Sequence, residues 1–299
     1  MNRILVVGGG VTGSVICALL RRKSVAKELI VWEKSRGVGG RMSSSGTRSG
    51  ECIVDLGAQY VTATEDYAAR HRDFYEELTA SGVLKEMRGA KIDGERVKPG
   101  DTSFVAPAGM ASIAKHFFEQ SGASIEFGRR AQSVEKDDGG DGTKWTVTDH
   151  EGESSGFDAV ILTQPVPQIL EMIGGSSVVL GDTLLAELES VEYSSRFALA
   201  AYFDGAKIGY DAMLGGANAR YVSGEPVVRF VALGNLKTDG APAPSSASKI
   251  SVVVHTSAPF GKENVETSKE DMGPVMEKKL QETFPAWPES VATKPHKWK

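Results

Sequence analysis

Ile4-Leu5-Val6-Val7-Gly8-Gly9-Gly10-Val11-Thr12-Gly13 decides the fold class of this chain. Four apolar, mostly β-branched residues cut off by glycine read as a fully buried strand. From Val11 to Lys23 small residues come first. Val15, Ile16, Leu19 and Leu20 then follow at helical spacing, and Arg21, Arg22 and Lys23 suit the negative end of a helix dipole. Residues 29–33 read as a second buried strand, so about 30 residues make one strand–helix–strand unit with a parallel crossover. Gly8, Gly10 and Gly13 fit G-x-G-x-x-G. The first glycine permits the tight turn, the second lets a pyrophosphate approach the backbone, and the third packs helix on strand. The helix start offers free N–H groups and a positive dipole to the phosphates. Glu33 closes the second strand 20 residues after Gly13, where its carboxylate can accept from both hydroxyls of an adenosine ribose. The competing reading is an ordinary strand–helix turn followed by a surface glutamate.

The rest of the composition narrows the class. The chain has 299 residues, about two domains at ~150 residues each. It contains 34 glycines, where about 7 % usage would give roughly 21; the surplus serves turns or backbone close to a ligand. A net charge of −5 leaves no global basic field, which argues against a nucleic-acid binder. The two cysteines, Cys17 and Cys52, cannot build a disulfide framework or a cysteine zinc site, and Cys17 reads as a small core residue. The five histidines are scattered, with no two at ligand spacing, so no metal site is expected. No stretch approaches the ~18 apolar residues of a membrane span. The apolar run at the N-terminus stops at Gly8, short of the ~7–15 residues of a signal-peptide core. It is read as a mature strand, with a cytoplasmic or organelle-lumen location expected.

Further along, 34–62 is rich in glycine and serine and reads as loop. Residues 66–84 read as one helix, and 110–120 as another introduced by the turn Pro107-Ala108-Gly109. Strands are expected at 124–127, 131–136, 145–149 and 158–163, with DDGGDGT (137–143) as a hairpin turn. A helix follows at 180–188, then longer strands at 196–203, 227–233 and 250–256, with DGAPAPSSAS (239–248) a low-complexity loop. A last helix is expected at 272–284. Arg41, in Gly39-Gly40-Arg41-Met42, can bring a permanent charge to a pyrophosphate or flavin. Asp55-Leu56-Gly57-Ala58-Gln59-Tyr60 offers a turn with polar and aromatic side chains. On the apolar strands, His255 and Arg229 stand out: His255 reads either as a substrate-side group or as a satisfied core histidine, and an unpaired charge at Arg229 would be costly, so a carboxylate-paired or ligand-facing role is expected there.

ILVVGGGVTGS, the acid at Glu33, GGRM and DLGAQY, in this order, resemble the FAD-dependent amine oxidase superfamily. FVAPAGMASIAKHF (104–118), TQPVPQIL (163–170), EYSSRFAL (192–199), VRFVALGN (228–235), VHTSAPFG (254–261) and ATKPHKW (292–298) are similar to its renalase branch. The resemblance runs through essentially the whole chain. It implies an α/β fold with an FAD/NAD(P)-binding Rossmann-like domain and a second α+β substrate domain, of the p-hydroxybenzoate hydroxylase and monoamine oxidase type. The expected division is 1–62 with 104–170 for FAD, and 63–103 with 171–299 for substrate. FAD would be non-covalent, because both cysteines precede residue 53. Gly8, Gly10, Thr12, Gly13, Glu33, Gly40, Arg41, Gln59, Tyr60 and the backbone at Ala131 are the implied cofactor contacts. The implied substrate is a small molecule, an isomeric 2- or 6-dihydro-NAD(P), with O2 as acceptor and H2O2 as second product. His255, Arg229, Tyr193, Arg196 and Trp298 are the substrate-side candidates, Trp298 by stacking on the nicotinamide-like ring. The competing readings are a true amine oxidase and a catalytically impaired nucleotide-binding or signalling protein. The resemblance also implies a further segment past the KW dipeptide, with a Gly-Asp turn and a helix aimed at the flavin. Without it, FAD is expected to bind weakly and turn over slowly.

Overall fold

The computed structural model describes residues 2–46, 52–136, 144–173, 180–239 and 249–298. The chain divides into two compact units, Met1–Gly40 with Ile113–Glu192, and Arg41–Ser112 with Tyr193–Lys299.

The first unit is built on the opening motif. Strand β1 (Arg3–Val7), helix α1 (Val11–Arg22) and strand β2 (Glu28–Glu33) form the crossover. β1 pairs in parallel with β2 on one side and with Ala159–Leu162 on the other, and Ser124–Phe127 adds to β2. Both faces of this four-stranded sheet are covered, which is why its strands read as unbroken apolar runs. Leu5, Val7, Ile30 and Trp32 pack against Val134, Val147, Phe157 and Met172. Their alternates Ile4, Val6, Leu29 and Val31 pack against Cys17, Ala26 and Phe118. The first of these layers comes from an antiparallel sheet of Ala131–Lys136, Trp145–Asp149 and Ser154–Phe157. The hairpin turn expected at 137–143 lies outside the described residues. Cys17 is fully buried, and that burial pushes its thiol up to about 12.

The second unit holds a six-stranded sheet in the order Ala292–Trp298, Arg196–Asp204, Lys249–Thr256, Val228–Leu233, Ala219–Tyr221, Ile92–Asp93. Neighbours are antiparallel except the last pair. On one face Phe197, Leu199, Phe203, Val252 and Val254 meet Met272, Met276 and Leu280 of the helix Lys269–Thr283. On the other face Ala198 and Ala200 are small, and Cys52, Val54 and Leu56 fill the space above them. That packing holds residues 41–62 in the second unit, whereas the sequence reading groups them with the first. Residues 104–112 follow through the pairing of Thr102–Val105 with Val61–Ala63. In the same way, Met172 packs into the first unit's core, beyond the expected boundary at 170.

The helix expected over 66–84 is two helices, Glu65–Arg70 and Arg72–Ala80, broken where His71 leaves helical geometry (φ −115°, ψ 24°). It ends before Gly82, whose φ of +72° makes the left-handed turn that terminates helices. Of the loop expected at 239–248, residues 240–248 lie outside the described residues.

Candidate functional site

In the first unit the glycine motif forms a cradle with open space where a ligand is needed. A Cβ on Gly13 would lie 2.2 Å from the Gly8 carbonyl oxygen, so helix and strand touch there and no side chain fits. Gly8 has φ +114°, and a Cβ would meet Thr163 Oγ1 at 2.6 Å; that hydroxyl donates to the Val7 carbonyl at 2.8 Å. A Cβ on Gly10, in contrast, would meet nothing within 4 Å. Gly10 is the N-cap of α1, with no side-chain cap and no acidic residue in the first turn. The first amides of the helix are therefore left for an anion, and exposed Thr12 sits among them. Gly39 N–H donates to the Gly9 carbonyl at 2.8 Å, and Gly40 closes in with φ +52°.

Glu33 is buried at 7 % exposure. Its Oε2 accepts Gly9 N–H at 2.6 Å and its Oε1 accepts Ser35 N–H at 2.7 Å. The two amides fix the carboxylate at the loop, and each oxygen retains a second acceptor site. Nearby, the Arg129 guanidinium lies 3.8 Å over the Trp32 ring and is held by Asp149 at 2.7 Å. Arg129 N–H donates to the Glu33 carbonyl at 3.1 Å. Ala131 opens the next strand at a register shift. These donors, gaps and acceptors fit the ribose and pyrophosphate of a dinucleotide.

In the second unit the turn 55–60 is the centre of the site. The Leu56 carbonyl accepts two ring N–H groups, from His255 Nε2 and Trp298 Nε1, each at 3.0 Å. Because a carbonyl only accepts, Nε2 of His255 carries the proton and Nδ1 is left as acceptor. Burial, reinforced by the Arg196 guanidinium, pushes the pKa of His255 down to about 4, so the ring is neutral at pH 7. Trp298 lies opposite Arg196 in the sheet and against the His296 ring at 4.1 Å. Gln59 is buried and donates to the carbonyls of Asp55 and Gly57. Tyr60 Oη hydrogen-bonds Tyr221 Oη at 2.9 Å, and burial, with Tyr221 alongside, raises its phenol above the usual value. Arg41 supplies the carbonyl that accepts Ala58 N–H at 3.1 Å.

Arg229 departs from expectation. A bulge between Val228 and Phe230 turns it to the exposed face of an otherwise buried strand. There it donates to the Val222 carbonyl at 3.2 Å, its guanidinium 5.5 Å from the Tyr221 ring. It is neither buried nor salt-bridged to a carboxylate among the described residues. Tyr193 is exposed at the start of the second segment.

Sequence reasoning missed Lys237, a buried lysine 2.8 Å from buried Asp55, and Tyr221. The available signal was a lysine in GNLKT directly after a buried strand. A surface cleft of about 390 Å³ is lined by Glu65, Arg72, Tyr75 and Phe104, and holds none of the expected residues.

A strand–glycine–helix cradle with an acid on the second strand defines a dinucleotide-binding unit, here in one chain with an antiparallel sheet unit. A model of the NAD(P)-binding Rossmann-like domain matches residues 6–78, and one of the flavin containing amine oxidoreductases matches 71–299. Mouse (Mus musculus) renalase is 38 % identical over 301 aligned residues, covering 100 % of this chain and 84 % of that protein. The fold is shared with a putative protoporphyrinogen oxidase from Exiguobacterium (TM-score 0.69, 13 % identity, 99 % and 86 % of the two chains). It is also shared with reduced UDP-galactopyranose mutase (TM-score 0.67, 13 % identity, 100 % and 83 %). The chain belongs to the flavin-containing amine oxidoreductases and, within them, groups with renalase. It is an FAD-dependent oxidoreductase acting on a small molecule. Among the described residues, no helix is long and apolar enough to cross a membrane.

Proposed function

We propose that the chain oxidises isomeric dihydronicotinamides, 2- and 6-dihydro-NAD(P), to NAD(P)+, with O2 reduced to H2O2. The observation that carries this reading is the likeness to renalase across the entire chain. FAD, when bound, would supply the redox chemistry as a two-electron carrier between the dihydronicotinamide and O2. The C–H bond at the dihydropyridine carbon breaks, its electron pair leaves with the hydrogen, and the ring becomes a pyridinium. H2O2 needs one proton beyond that hydride, and water provides it.

The protein's own groups bind and orient. Gly8, Gly10, Thr12 and Gly13 would receive the cofactor pyrophosphate at the helix start, and Glu33 its adenosine ribose. Gly40 and the Ala131 backbone would add to this non-covalent site, and Arg41, Gln59 and Tyr60 of the second unit are proposed as cofactor residues on the likeness to renalase alone. On the substrate side, the Nδ1 lone pair of neutral His255 would accept a carboxamide N–H. Trp298 would offer its ring face, and Tyr193, Arg196 and exposed Arg229 would contact the polar remainder.

Two measurements test this. Anaerobic addition of 6-dihydro-NAD to the FAD-loaded protein should bleach the flavin absorbance, and air should restore it with H2O2 formed. Bleaching by amines alone would make the chain an amine oxidase instead. Separately, Glu33→Ala should weaken FAD binding by about 1–3 kcal/mol, the scale of lost charged hydrogen bonds. A dissociation constant unchanged by flavin fluorescence would remove Glu33 from the ribose role.

A further inference from the structure

We infer that Lys237 and Asp55 form a buried positioning pair that sets the turn carrying Leu56, Gln59 and Tyr60. Its bearing on catalysis rests on the proposed function; its bearing on the turn does not.

The pair is enclosed. The side chains of Lys237 and Asp55 are 9 % and 1 % exposed, with Nζ 2.8 Å from Oδ2. The other carboxylate oxygen, Oδ1, accepts Met110 N–H at 2.9 Å and the Ser44 hydroxyl. Ser44 Oγ in turn accepts Ala111 N–H at 3.0 Å. Lys237 cannot drift from this position. It sits in the 3-10 turn Gly234–Thr238, with buried Asn235 and Leu236. That turn is pressed against a strand: a Cβ on Gly234 would lie 2.4 Å from both Ser251 Oγ and Tyr210 Oη.

Position, more than energy, accounts for such a pair. A buried ion pair is often no more stabilising than apolar residues of the same shape, and its best-attested use is to fix one arrangement over others. The arrangement fixed here lies one residue further on. Asp55 contributes its side chain to the pair and its carbonyl to Gln59. The next carbonyl, that of Leu56, holds both the His255 and Trp298 rings. Lys237 thus reaches both rings through a single peptide unit.

The test uses the apoprotein, with 15N-labelled indoles of its four tryptophans and the Trp298 resonance assigned through Trp298→Phe. Lys237→Met strands a buried carboxylate, so the deciding variant is Asp55→Asn/Lys237→Met. Its amide oxygen keeps an acceptor for Met110 and Ser44 with no charge to compensate. We expect the double variant to fold, the Trp298 indole resonance to shift or broaden, and the Trp32 resonance to stay. We also expect a higher FAD dissociation constant and kcat/KM lowered about tenfold or more, as for a displaced positioning group. A folded double variant with wild-type Trp298 resonance and FAD affinity would overturn the inference. A moved resonance, in a protein whose wild type never oxidises dihydronicotinamides, would retain the pair and reject the proposed function.

Discussion

Alanine at position 57 is expected to destabilise the protein by about 3 kcal/mol, the upper part of the range for overpacking. The added Cβ would sit 1.9 Å from the Arg41 carbonyl oxygen, 2.9 Å from its carbon and 3.3 Å from Trp298. The first two are backbone atoms, which cannot swing aside as a flexible side chain does. The Gly57 backbone has no positive φ, so the cost is steric and not conformational. Nor can the two segments part freely, because Ala58 N–H is bonded to the same Arg41 carbonyl. Urea unfolding of Gly57→Ala measures the loss. Gly10→Ala is the control, since its Cβ would enter empty space; its apoprotein stability should stay within about 0.5 kcal/mol of wild type. A Gly57→Ala midpoint equal to wild type would show that the close approach is not held in solution.

The second large effect is a pH dependence located at His255. Its folded pKa lies near 4, below the ordinary 6.5, because burial disfavours the charged ring. Between these values the unfolded chain takes up a proton that the folded ring does not. Stability therefore falls as pH drops from 6.5 towards 4, by about 1.4 kcal/mol per unit and ~3 kcal/mol in all. Above pH 6.5 the contribution is flat. His255→Gln can keep an N–H for the Leu56 carbonyl while removing the titration. Unfolding free energies of the two proteins should run parallel above pH 6.5 and converge below it. Parallel lines down to pH 4.5 would mean that the ring protonates freely in the folded state.

What the sequence disclosed and what it withheld differ by how the contacts are made. The cradle was legible because it is local. Strand, turn, helix and acid fall within residues 3–33, and the apolar runs of Ile4–Val7 and Leu29–Val31 report a sheet covered on both faces. His255 and Trp298 stood out by residue type, and they meet at one carbonyl. That carbonyl, Leu56, has no side-chain signature, so the hub itself left no mark in the sequence. Lys237 reads as an ordinary turn lysine until a 3-10 turn brings it to Asp55. Arg229 reads as a charge inside an apolar strand until a bulge, invisible in an apolar pattern, puts that one residue into solvent. The assignment of residues 41–62 depended on which surface Val54 and Leu56 cover. Periodicity says that such residues are buried, not against what.

The order of strands in the parallel sheet also dictates when the protein can fold. β1 lies between β2 and Ala159–Leu162. Its near partner emerges from the ribosome almost at once; its far partner emerges only after more than half of the 299 residues have been made. At about 5–20 residues per second this leaves one edge of Ile4–Val7 unpaired for on the order of ten seconds or more. A β-branched apolar edge open for that long invites pairing with another chain. During synthesis this strand is therefore a segment that a chaperone would have to shield. Closing the loop from β1 to Ala159 also carries an entropic cost that slows refolding.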